Sequence, residues 1–278
     1  MAAIFASQLI GLLVTVLILA GSGEAIPSTE AMSWASAAGL SGVVGLGAFY
    51  LALSRGTMGL IAPLAALIGA ALPALVSIVG GEELSGLRQV GIVLALAAVV
   101  LISLPTGEAS DAEQRAVRID LRDLPLVVVS GLGFAGFYLF LDAASGAGGE
   151  TWWPLAAVRG VGLAVVVLAM GLLLGRRREA RLRSRLYGLL GFDRLADSGR
   201  SLLGIAPLFA LAGLGDLGGN AFFILANSLD ALPVAVVLSS LYPVVTTVLA
   251  ALVLHERLRM LQLLGIGLAV VAVVLIGR

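Results

Sequence analysis

LSSLYPVVTTVLAALVLHERLRMLQLLGIGLAVVAVVLIG, residues 238–277, is a pair of apolar runs parted by one short charged segment, HERLR at 255–259. A helix needs about 20 mostly apolar residues to cross a bilayer, and residues 260–277 carry no acidic or basic side chain at all. Two such runs back to back cannot both hide in the core of a small soluble domain, so the pair predicts a membrane hairpin. Working outward, the same pattern recurs at 4–21, 33–53, 58–80, 88–105, 125–142, 153–175, 204–228, 233–253 and 260–277. The expected fold is all-α: a polytopic transmembrane helix bundle of about nine spans. The first run is not read as a secretory signal, because Met1-Ala2-Ala3 offers no basic segment ahead of it.

Composition agrees and removes much chemistry. The chain is 60% hydrophobic and 12% charged, about half the charge of an ordinary soluble domain. It has no Cys and a single His, His255, so thiolate catalysis, disulfides and multi-His metal sites are excluded and no cofactor is expected. All 17 basic residues are Arg, which excludes a P-loop Lys and a Schiff-base Lys. The formal net charge is zero, so no nucleic-acid partner is expected.

The arginines predict an orientation, because cytoplasmic loops are enriched in basic residues. With residue 1 in the cytoplasm, fourteen Arg fall in inside connections: Arg55, Arg115, Arg118, Arg122, the eight from Arg176 to Arg200, Arg257 and Arg259. Only Arg88, at a helix edge, falls in an outside one. The expected location is the plasma membrane, multi-pass, with the N-terminus cytoplasmic and the C-terminus outside. Within the longest basic loop, residues 179–196 bring Leu182, Leu186, Leu189 and Leu190 near one helical face among Arg. That pattern fits a helix lying on the anionic inner leaflet and fits a merely solvated loop equally well.

The sequence also repeats. A shift of 174 residues lays Gly45 on Gly219, Phe49 on Phe223, Ser54 on Ser228, Glu82 on Glu256, Gly91-Ile92 on Gly265-Ile266 and Val99–Ile102 on Val273–Ile276. Before that trio of helices the match is fainter, with Gln8, Gly11 and Leu12 falling on Arg159, Gly162 and Leu163. The expected organisation is a first repeat at 1–105 with four helices, a cytoplasmic linker at 106–124, and a second repeat at 125–278 with five. An odd number of spans per unit inserts the two copies upside down relative to each other. The shorter first half is expected to reflect a start assigned too late; a protein that works without that helix is the alternative.

These features resemble the drug/metabolite transporter superfamily, in particular members with paired EamA domains of five helices each. The most specific stretch is 238–277, with a central Pro, a Glu at the end of the first helix and glycines in the last one. Its first-half counterpart, APLAALIGAALPALVSIVGGEELSGLRQVGIVLALAAVVLI at 62–102, is a weaker copy with Gly69 in place of Pro243. The resemblance implies a transporter of small organic solutes, with export of metabolites or drugs its suggested direction. It departs from the family in the missing first helix and in the orientation of the termini, since well-studied members are pictured with both in the cytoplasm.

Ionisable groups at membrane depth cost at least about 2.5–3.5 kcal/mol on insertion scales, so they are paired, hydrated or functional. Asp216 sits in the middle of its span within DLGGN, with Asn220 one turn on and Gly215, Gly218 and Gly219 thinning the helix. It is read as a substrate or proton site; a structural, hydrogen-bonded Asp is the plainer alternative. Arg159, just beyond Trp152 and Trp153, either snorkels to the interface or turns inward to bind an anion or pair with Asp216. Tyr138, Tyr50 and Tyr242 can stack on a solute or simply pack. Ser239 and Ser240 can offer hydroxyls or cap carbonyls above Pro243, and Gln8 can line the wall opposite Arg159. Asn227 continues the polar stripe, Glu82 and Glu256 are read as loop-fixing residues, and the glycines of GLSGVVGLG (39–47) as close-packing surfaces.

A secondary transporter working by alternating access is the leading expectation, its partners being a small organic solute and the lipid bilayer. An intramembrane hydrolase would need a base near a Ser at depth, and a Mg²⁺-dependent transferase would need paired acids; no span offers either. A non-transporting membrane component is the alternative, and unequal halves can be completed by a homodimer or a borrowed partner helix.

Overall fold

The computed structural model describes residues 2–54, 58–103, 124–175, 202–229, 232–253 and 260–277. The arginine-rich connections, residues 179–196, and Glu256 lie outside them. The described residues form ten helices and no strand: α1 (Ala2–Ser22), α2 (Thr29–Ser54), α3 (Met58–Val79), α4 (Gly86–Ser103), α5 (Leu124–Gly146), α6 (Trp152–Gly175), α7 (Leu202–Leu229), α8 (Leu232–Ser239), α9 (Tyr242–Val253) and α10 (Met260–Ile276). Among these residues, Ile4–Ser22, Thr29–Ser54, Leu124–Gly146 and Trp152–Leu172 are long and apolar enough to cross a membrane by length and composition. Leu64–Val79, Gly86–Ile102 and Met260–Ile276 are shorter apolar stretches. The fold is the polytopic all-helical one the apolar runs imply.

Local chemistry sets the helix ends. Ser28 caps α2, its Oγ accepting from the Ala31 N–H at 3.0 Å, and Ser85 does the same for α4 through Arg88 at 3.4 Å. After α3 and α5 the chain turns through glycines at positive φ, Gly81 (99°) and Gly148 (86°). In both places the next N–H reaches back five residues, Glu82 to the Ser77 carbonyl at 3.2 Å and Gly149 to Ala144 at 2.9 Å. That is the Schellman closure, which a Cβ at the left-handed residue would strain.

One expected span is interrupted. The run 233–253 is two helices, α8 and α9, parted at Ser240–Leu241. Pro243 has no N–H for the Ser239 carbonyl. The turn tightens instead to three-residue bonds, Leu241 to Leu238 at 3.2 Å and Val244 to Leu241 at 2.9 Å. Ser240 Oγ donates to the Val237 carbonyl at 2.7 Å and adds to the competition for the backbone. Pro73 is carried inside α3 without such a break, so Pro243 and Ser240 act together.

The chain forms two compact units, each drawing on both sequence halves: Met1–Val43 with Phe140–Leu225, and Val44–Leu139 with Ala226–Arg278. In lipid, helices associate through close packing of small residues because their surroundings are as apolar as they are. The first unit shows this at Gly39, where a Cβ would lie 2.7 Å from the Val158 carbonyl oxygen, and at Gly213, 3.2 Å from Ile10 Cβ. One end of this unit is tied by polar contacts. Ser28 Oγ donates to the Ala147 carbonyl at 3.1 Å, and the Glu24 carboxylate accepts from the Trp152 and Trp153 N–H groups that open α6. The Trp153 indole N–H donates to the Glu24 carbonyl at 3.1 Å.

In the second unit Gly45 meets the Gly133 backbone at 3.0 Å. Gly47, in the same stretch, has nothing within 4 Å of a Cβ, so only some of these glycines are packing surfaces. The buried helix α8 packs on α3 and α4, and its first N–H, at Leu232, donates to Glu82 Oε1 at 3.2 Å. Glu82 thereby fixes the start of a helix from the other half of the sequence.

The α4–α10 pair is reciprocal. A Cβ on Gly91 would meet Ile276 Cγ1 at 2.7 Å and the Ala272 carbonyl at 3.1 Å; a Cβ on Gly265 would meet Ile102 Cγ1 at 2.5 Å and the Ala98 carbonyl at 3.2 Å. These residues match one another under the 174-residue shift, and the start of each helix faces the end of the other, so the pair is antiparallel. A two-fold axis across the pair produces such contacts. Gly91→Ala and Gly265→Ala are therefore expected to destabilise by similar amounts, about 1–3 kcal/mol each from overpacking. Thermal denaturation in detergent measures this; a large loss from one substitution with the other tolerated would contradict the symmetry.

Candidate functional site

The chemistry of the first unit collects where α1, α6 and α7 meet. α1 and α6 cross at glycines, and each glycine makes room for the other helix's polar side chain. A Cβ on Gly11 would stand 3.1 Å from Arg159 Cδ and Nε, and one on Gly162 would stand 2.9 Å from Gln8 Cδ. Gln8 and Gly11 are the residues that match Arg159 and Gly162 in the sequence repeat. The crossing is thus a second reciprocal contact, with an amide on one side and a guanidinium on the other.

Arg159 is 1% exposed and is the largest fully buried side chain among the described residues, so it does not snorkel. Its Nη1 donates to Gln8 Oε1 at 3.2 Å and forms an ion pair with Asp216 Oδ2. Ser7 Oγ donates to the same carboxylate oxygen at 3.0 Å. Arg159 Nε and Nη2 are buried and make no hydrogen bond among the described residues. Three helices therefore converge on one neutral cluster, Ser7–Gln8–Arg159–Asp216.

Asp216 differs from its partner in being open. Its side chain is 46% exposed against 2% for Arg159. On one flank of α7, Gly213 closes against Ile10 and Ser7; on the other, a Cβ at Gly215, Gly218 or Gly219 would have nothing within 4 Å. Asn220, one turn beyond Asp216, is half-buried. At the position matching Asp216 the first half carries Gly42, so the acid has no counterpart.

Of the residues singled out by sequence, Gln8, Arg159 and Asp216 are brought into direct contact. Ser7 was not among them: it matches Val158 in the repeat and carries no signal beyond standing beside Gln8. Tyr50, Tyr138, Ser239 and Tyr242 belong to the second unit. There Tyr50 packs edge-on to Phe49 at 5.9 Å and Tyr138 edge-on to Phe137 at 5.3 Å. Tyr242 opens α9 half-exposed, and Ser239 ends α8 half-buried. Among the described residues no group of His, Cys, Asp and Glu is arranged to hold a metal ion.

No curated protein matches the chain. A solved structure, described only as the crystal structure of a protein, is 18% identical with a TM-score of 0.63, covering 99% of this chain and 87% of that one. At that identity the likeness is one of fold alone. The model of the EamA-like transporter family matches residues 122–278, more than half of the length and including the whole of α7 with its Asp216. The chain belongs to the EamA-like transporter family of polytopic helical membrane proteins.

Proposed function

We propose that this protein is a secondary active transporter that moves a small organic solute by alternating access, with Asp216 as the group the solute or a coupled proton engages. The observation that carries this is the cluster itself: a half-open carboxylate near the middle of α7, held by a buried Arg from α6 and by Ser7 from α1. An ionised carboxylate open to hydrocarbon is costly, so its exposed side faces water. The reciprocal contacts at Gly11/Gly162 and Gly91/Gly265 support reading 1–105 and 125–278 as inverted repeats, and Arg115, Arg118 and Arg122 favour a cytoplasmic linker between them. That architecture serves alternating access by rocking about a midplane site. Family likeness favours export. The test is solute flux in membranes containing Asp216→Asn, which is expected to insert normally and to transport at no more than a small fraction of the wild-type rate.

The arginine bias supports a plasma-membrane protein with a cytoplasmic N-terminus and an external C-terminus. A tag on the C-terminus should then react with an impermeant reagent in intact cells. Labelling only after permeabilisation would reverse this orientation.

A further inference from the structure

The two charges of the cluster are not equally available to a solute. Asp216 Oδ2 already accepts from Ser7 and Arg159, and neither bond uses Oδ1. The carboxylate is nearly half exposed, beside a flank where Gly215 and Gly219 leave open space. Successive helix residues are about 100° apart, so Gly219 lies only about 60° around α7 from Asp216. Arg159 is closed by contrast. Its stem lies against Gly11, and its Nε and Nη2 are buried. A carboxylate solute could reach the guanidinium only by displacing Asp216 or by parting α1 from α6. It would meet the negative end of the pair first.

We infer, on the reading of this cluster as the transport site, that the site takes solutes bearing a cationic group such as a protonated amine, which Asp216 Oδ1 receives, and turns away organic anions. Arg159 is then a positioning residue: it holds Oδ2 and aims Oδ1 outward, and does not bind the solute. The nearly neutral pair also means that a cation is received without leaving an uncompensated acid in the membrane once the solute departs.

The chain has no Cys, so one introduced thiol reports without background. Gly219→Cys in the full chain, in membranes, is treated with methanethiosulfonates carrying either a trimethylammonium or a sulfonate group, each rate being normalised to that with a free thiol. The cationic reagent should react at least about tenfold faster, and adding Asp216→Asn should bring the ratio to within about threefold of unity. Gly215→Cys repeats the measurement should the first variant insert poorly. Preference for the sulfonate, a ratio unchanged by Asp216→Asn, or no reaction with either reagent overturns the inference. Flux separates it from the transport reading. Loss of flux in Asp216→Asn alongside sulfonate preference refutes only the charge class, whereas wild-type flux in that variant refutes the transport site itself.

Discussion

Asp216→Ala is expected to destabilise the protein by about 3–5 kcal/mol, because it leaves the Arg159 guanidinium buried without its counter-charge. Arg159→Ala should cost less, even though it removes more atoms. The carboxylate it strands is 46% exposed and keeps Ser7 Oγ as a donor, whereas the guanidinium is 2% exposed and keeps only Gln8. Burial thus decides the order of the two effects. Combining Asp216→Ala with Arg159→Leu should recover much of the loss, since a buried pair replaced by apolar groups is often neutral in cost. Denaturation midpoints in detergent for Asp216→Ala, Arg159→Leu and the double variant form the cycle, with Arg159→Ala measured beside them. Equal losses from the two alanine variants, or additivity in the double, would mean that the ion pair is not coupled.

Asp216→Asn should separate stability from transport. The Asn side-chain oxygen can still accept from Arg159 Nη1 and Ser7 Oγ, so although the guanidinium loses its counter-charge the variant is expected to keep clearly more stability than Asp216→Ala. What it loses is the charge. A cationic solute gains no ion pair from an amide, and a coupled proton has no group to ride on. Flux is therefore expected to fall at least about a hundredfold if the site supplies some 3 kcal/mol through that charge, each 1.4 kcal/mol being tenfold. Loss of flux together with a midpoint as low as that of Asp216→Ala would instead point to a purely structural acid.

How much of this the sequence carries depends on whether a feature is local. The apolar runs place the described helices, apart from the break inside 233–253, because a bilayer leaves backbone polar groups no partner but their own helix. The repeat was legible where Gly spacing is strict, and Gly91 and Gly265 occupy the contacts that such spacing implies. The break at Ser240–Leu241 is half visible: Pro243 stands beside it in the sequence, but Pro73 shows that a proline alone does not decide it. The Arg159–Asp216 pair was only one of several readings of Arg159. Counting residues from helix ends puts the two at different depths, and such counting ignores helix tilt and the reach of a long side chain. Ser7 and the capping of α6 by Glu24 were invisible, since nothing in a single sequence says which loop or helix lies opposite.

The most direct test of whether the cluster works rather than merely braces is the paired neutral variant, Arg159→Gln with Asp216→Asn, reconstituted in vesicles and assayed for solute flux. It leaves no unpaired charge and preserves hydrogen-bonding groups on both helices. The account predicts a folded protein of near wild-type midpoint with essentially no flux. Wild-type flux from that variant would contradict it.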